Sequence, residues 1–76
     1  MIKVKARFKV QKVSTVTAGV IEEVTVVEKF NAENIVEAYQ IAKQMAEKRT
    51  KASEHNPEAI KEDYIEVWKL KAVEMI

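Results

Sequence analysis

The 76 residues include no cysteine and only one glycine, one proline and one histidine. Without cysteine there are no disulfides and no thiolate chemistry, which fits a cytosolic setting. A lone glycine, Gly19, cannot build the glycine-rich loop that cradles a phosphate. A lone histidine, His55, lies in the most polar stretch with no second strong ligand near it, so it reads as a surface side chain and not a metal site. No apolar run approaches the length that spans a bilayer. The start, Met1-Ile2-Lys3-Val4-Lys5, alternates where a signal peptide would carry a continuous apolar block, so a soluble, cytoplasmic protein is expected. An excess of one charge is missing too: 13 basic residues face 12 acidic ones. Any electrostatic role must come from how charge is distributed.

What is present suits a folded chain, with 47% hydrophobic and 33% charged residues. The length fits a single small domain covering residues 1–76. A chain of this size buries only roughly 60% of its unfolded surface, so the core is thin, and self-association is a common remedy.

The strongest periodic signal runs from Asn34 to about Lys48. At 100° per residue, Ile35, Ala38, Tyr39, Ile41, Ala42, Met45 and Ala46 gather into one arc, with Glu33, Glu37, Gln40, Lys43, Gln44 and Glu47 opposite. Asn34 followed by Glu37 forms a capping box; Asn31 as cap would instead let Phe30 pack onto Ile35. Asn34 is preferred because it leaves Phe30 and Ala32 to finish a strand. Arg49 falls back onto the apolar arc, so the helix either stops near Lys48 or runs past the edge of what it covers. Lys48, Arg49 and Lys51 suit the negative end of the helix dipole.

Ile2, Val4, Ala6, Phe8 and Val10 alternate with Lys3, Lys5, Arg7, Lys9 and Gln11, the period of a strand with one buried face. Val13 breaks that phase, so the strand bulges or ends near Lys12. Ser14 to Gly19 reads as a turn in which Gly19 is free to take a positive φ. Val20 to Ala32, rich in β-branched residues, is a second strand. Placing Val24, Val26, Phe30 and Ala32 inward also turns Glu28 inward, a conflict that a bulge or an edge position would resolve. Asn56 before Pro57 is a helix start, giving a short helix over 57–62. Tyr64 to Ile76 is a third strand, with Tyr64, Trp68, Leu70 and Ala72 on one face and Lys69, Lys71 and Val73 on the other.

A β-β-α-β chain with a hairpin followed by a right-handed crossover has one economical solution. It is an α+β fold: a three-stranded antiparallel sheet in the order 2-1-3, with one long helix on one face. The other face is left without a covering layer. That open face should display Lys3, Lys5, Arg7 and Lys9, with Lys69 and Lys71 beside them.

A basic stripe can follow a phosphate backbone, but sheet-based single-strand binders also need aromatic platforms, and this face offers none. The plainer reading is a solvated lysine face. Ile65, Val67, Val27 and Val73 mix apolar surface into the stripe, and the outer strands offer edges for strand addition. Catalytic sets are missing. Ser53 has no orienting acid, and the consecutive Glu22 and Glu23 point to opposite faces of a strand. Glu28 is a half-buried candidate whose alternative is an edge carboxylate reaching water. Tyr39 and Met45 read as core.

The run Phe30-Asn31-Ala32-Glu33-Asn34-Ile35-Val36-Glu37-Ala38-Tyr39, a strand ending in alanine and a capped helix opening with Glu-Ala, resembles a pattern common in small uncharacterised proteins of bacteriophages and prophages. In those, two lysine-rich strands precede the helix and an aromatic-rich strand follows. The resemblance covers most of the chain in layout and implies a mobile-element origin; it carries over no functional residue. The expectation is a non-enzymatic interaction module without cofactor or metal, binding a protein partner or itself. Nucleic-acid contact through the basic face is the alternative.

Overall fold

In the computed structural model the chain forms β1 (Ile2–Ser14), β2 (Val20–Ala32), α1 (Ile35–Glu54), α2 (Pro57–Lys61) and β3 (Tyr64–Met75). The structure describes residues 1–76 apart from the side chain of Ala59. The strands form one antiparallel sheet in the order β2-β1-β3, with α1 packed on one face.

β1 does not end at Lys12. It continues to Ser14 because β2 absorbs the phase change: Lys12 pairs with Glu22 but Val13 with Val20, leaving Ile21 as an extra residue. In the turn that follows, the Ser14 carbonyl accepts from the Ala18 N–H, and the Ser14 hydroxyl accepts from the amides of Val16 and Thr17. This geometry puts the left-handed conformation on Ala18, at φ 60°, and not on Gly19.

Asn34 caps α1, accepting from the Glu37 N–H at 2.9 Å. The returning Glu37 carboxylate accepts from the Glu33 amide at 3.4 Å, one residue earlier than a capping box would have it. The helix passes Lys48 and runs to Glu54, because polar residues on its inner face find partners on the sheet. Its buried stripe is Ala38, Ala42 and Ala46, continued by Ser53. These small side chains set the contact line, and Ile35 and Tyr39 fall beside it, 43% and 55% exposed; Tyr39 is therefore not a core residue. Met45 packs against the core as expected.

From the sheet, Val4, Ala6, Phe8, Val10 and Ala32 are buried, with Phe8 and Val4 the largest fully enclosed side chains. Phe8 meets Trp68 edge-on, with ring centroids 5.7 Å apart. Trp68 and Leu70 thus face the helix, in register with Val10 and Phe8. Beyond them the expected phase of β3 fails. Phe8 pairs with Leu70 but Arg7 with Ala72, so Lys71 is an extra residue, and the bulge turns Val73 to the helix side and Ala72 to the open face.

One helix cannot cover three strands of this length. The radius of gyration is 13.9 Å, against about 11.4 Å for a compact chain of the same size, and the molecule measures 43 × 19 × 15 Å. α1 lies mainly over β3, and β2 receives little of it.

The turn yields a test contrary to the usual handling of glycine. Ala18→Gly should stabilise the fold by about 1 kcal/mol by relieving a left-handed alanine. Gly19→Ala should be neutral or stabilising by up to about 1 kcal/mol, since a β-carbon there meets only the Thr17 hydroxyl at 3.4 Å. Urea unfolding of both variants checks this.

Candidate functional site

The open face carries the basic residues read from the sequence. Lys3, Lys5, Arg7 and Lys9 occupy alternate positions of β1, and Lys69 stands opposite Lys9. Lys71, in the bulge, lies on the same side, near enough to act on Glu23. Three of these six, Lys5, Arg7 and Lys9, are answered by acids that alternation on β1 did not disclose. Glu74, opposite Lys5, takes Arg7 at 3.1 Å and Lys5 at 3.6 Å, and Glu23 takes Lys9 at 3.1 Å. Glu23 also accepts from the Gln11 amide at 3.1 Å. That hydrogen bond first, then the one from Lys9, holds its carboxyl below the ordinary value, with a smaller contribution from Lys71. Across the sheet, Lys29 faces Lys5 directly.

No aromatic side chain lies on this face among the described residues. Tyr64 and Trp68 lie on the helix side, where Lys12 sits 5.0 Å from the Tyr64 ring and pairs with Glu22 at 3.4 Å. That partnership raises the Lys12 pKa, the Glu22 hydrogen bond being the main cause. The hollow between Lys5, Arg7, Val27, Ala72 and Glu74 holds about 40 Å³, too little for a small-molecule ligand.

On the helix side Arg49 spans the sheet. Its guanidinium sits 4.7 Å from the Trp68 ring of β3 and reaches Glu28 of β2 at 3.0 Å. This pair, at an edge strand and without a local bulge, resolves the inward turn of Glu28. It also gives Glu28 a cationic partner, so Glu28 is not an unpaired acid on the inner face. A furrow of about 420 Å³ beside it is lined by Arg49, Ala52, Ser53, Asn56, Pro57, Glu66 and Trp68. Ser53 is committed there as a buried hydrogen-bond acceptor, not as a nucleophile. His55 is exposed and ends α1, its amide donating to Ala52.

The two edges of the sheet differ. On β3 the Trp68 amide donates to the Thr50 hydroxyl at 2.9 Å and the Glu66 amide to the Ser53 hydroxyl at 2.6 Å. Thr50 in turn donates to the Ala46 carbonyl. The helix therefore closes this edge where strand addition would begin. β2 has no such cover. The Lys3 carbonyl accepts from Ile76, which turns the odd-numbered groups of β1 toward β3 and the even-numbered ones toward β2. The even residues of β2 are thereby bonded to β1, and Glu23, Thr25, Val27, Lys29 and Asn31 aim their N–H and C=O groups outward. No partner for them exists among the described residues. Val24, on the helix side, is 45% exposed and Val27, on the open side, 50%.

Among the described residues no group of acids and histidine could hold a metal ion, and no helix is long and apolar enough to cross a membrane. No family model, curated protein or solved structure matches the chain.

Two outcomes follow from this geometry. Thr50→Val, which keeps the shape and removes the acceptor, should cost about 1–3 kcal/mol by leaving the Trp68 amide unpaired. Amide exchange read by NMR should then show Trp68 losing protection while β1 keeps its own. Separately, Glu23 should titrate below the ordinary glutamate value, and Gln11→Ala should raise it back toward that value. Because the folded value is lowered, the associated stability is present above the ordinary glutamate pKa and is lost as pH falls through the depressed one.

Proposed function

We propose that this protein is a non-enzymatic interaction module that works by strand addition at the outer edge of β2. The observation that carries the reading is the difference between the two edges: α1 covers the amides of Glu66 and Trp68, while the outward groups of Glu23 through Asn31 stand bare between two exposed valines. Main-chain hydrogen bonds supply affinity in such complexes, and side chains at alternate positions supply selectivity. The basic face is a weaker candidate. Lys5, Arg7 and Lys9 already hold Glu74 and Glu23, and stacking surface for bases lies on the opposite side. The likeness to phage and prophage proteins is the ground for adding a mobile-element origin and a host-cytoplasmic setting.

Thr25→Pro tests the reading. Thr25 directs its N–H outward, so proline there should leave the sheet intact, with Trp68 emission unchanged, yet block an incoming strand. Pull-downs with wild-type and Thr25→Pro protein, from a lysate to which an untagged second copy of this chain is added, should differ by the partners that use this edge; identical captures, that copy included, would overturn the proposal. In fluorescence anisotropy, labelled single-stranded and duplex oligonucleotides should not bind even at low salt. Binding that weakens steeply with salt, and is lost on reversing Lys3 and Lys69, would replace strand addition by nucleic-acid contact.

A further inference from the structure

We infer that the strand added at β2 is β2 of a second copy of this chain, paired antiparallel about a two-fold axis through Val26. The inference rests on strand addition at β2 and names its partner. For the sheet to continue across the axis with both helices on one side, facing residues must share a face, so only even-to-even and odd-to-odd pairings are open. The charges on β2 then select the register. Its acids are Glu22, Glu23 and Glu28, and its one base is Lys29. Lys29 can face Glu22 or Glu28 only by mismatching faces, so Glu23 is its single allowed acidic partner. Setting Glu23 opposite the second copy's Lys29 puts Val26 opposite Val26.

The rest of the register agrees with the structure. Glu23, Thr25, Val27 and Lys29 carry outward N–H and C=O groups, and they form the hydrogen-bonded pairs: Glu23 with Lys29, Thr25 with Val27. Lys29 has only Lys5 opposite it within its own sheet, a like-charge pair, and would gain a carboxylate on its other side. Val26 meets its mate on the helix face with Val24 of each copy diagonal to it, Val24 itself standing opposite Glu28 of the other copy, and Val27 meets its mate diagonally on the open face. The bulge at Ile21 ends the pairing at one end.

Surface and closure point the same way. The chain exposes 5308 Å², where a compact monomer of 8.7 kDa exposes about 4,700 Å². The six-stranded sheet would have β3 at both ends, each covered by Thr50 and Ser53, so the assembly closes as a dimer and does not grow into a filament.

The test exploits the absence of native cysteine. Val26→Cys places two thiols at a non-hydrogen-bonded pair, about 4.5 Å between α-carbons, within disulfide reach. Mild oxidation should give a covalently linked dimer, while Val27→Cys, off the axis, should stay unlinked. Sedimentation equilibrium of the wild type should show dimer, weakened about tenfold or more by Lys29→Glu and recovered by Glu23→Lys combined with Lys29→Glu. A wild type monomeric up to about 1 mM overturns the inference. So does a dimer indifferent to Lys29→Glu, or linkage through Val27→Cys in preference to Val26→Cys. A monomeric wild type whose partner captures still depend on Thr25 removes only self-pairing. A dimer that survives Thr25→Pro removes strand addition at β2 as well.

Discussion

The close approach of α1 to β3 is the contact on which the rest of the structure depends. Ala38, Ala42 and Ala46 present so little side chain that the helix settles against the sheet, and the next inward positions, Thr50 and Ser53, come within hydrogen-bonding distance of the β3 backbone. Larger side chains along that stripe would hold the helix away and leave the amides of Glu66 and Trp68 without partners. Because the helix is spent on this side, Phe8 and Val4 are the largest side chains fully enclosed among the described residues, and β2 is left nearly bare. The thin core and the open edge are thus two results of one placement.

Electrostatics on the sheet is arranged by register more than by composition. Each strand taken alone looks unbalanced, β1 basic and β2 mostly acidic. Pairing brings Lys9 and Gln11 to Glu23, and Lys5 and Arg7 to Glu74. These contacts are exposed and individually weak, and they pair Lys5, Arg7 and Lys9 while Lys3, Lys29, Lys69 and Lys71 keep the open face basic. The same principle explains Glu28, which faces the helix side and survives there because Arg49 crosses β1 to meet it. Arg49 thereby links both outer strands through one side chain, stacking on Trp68 as it passes.

Much of the fold was legible from the chain. The alternation in β1, the β-branched run of β2, the Asn34 cap and the Asn56-Pro57 start all appear where local chemistry put them, and the 2-1-3 order followed from connectivity. What was misread traces to long-range causes. Tyr39 lies on the helical arc but misses the contact line that the alanines define. Ala72 and Val73 exchanged faces because of a bulge whose origin is in the pairing with β1. Ala18 took the strained turn conformation in place of Gly19 because Ser14 closes the turn around it. The helix outran Lys48 because Arg49, Thr50 and Ser53 found partners on strands distant in sequence.

The basic face was visible as residues but not as a charge distribution, since Glu23 and Glu74 join it only through strand register. The two edges were indistinguishable in the sequence, where β2 and β3 are strands of similar length and composition. By itself the sequence determined the elements, their order and the sidedness of β1, because those depend on periods of two and 3.6 residues and on caps within one turn. Only the tertiary structure decided which edge is closed and which is open. That choice depends on where the hydroxyls of Thr50 and Ser53 land after the alanine stripe has docked, a distance between residues 13 to 18 positions apart that no local period encodes.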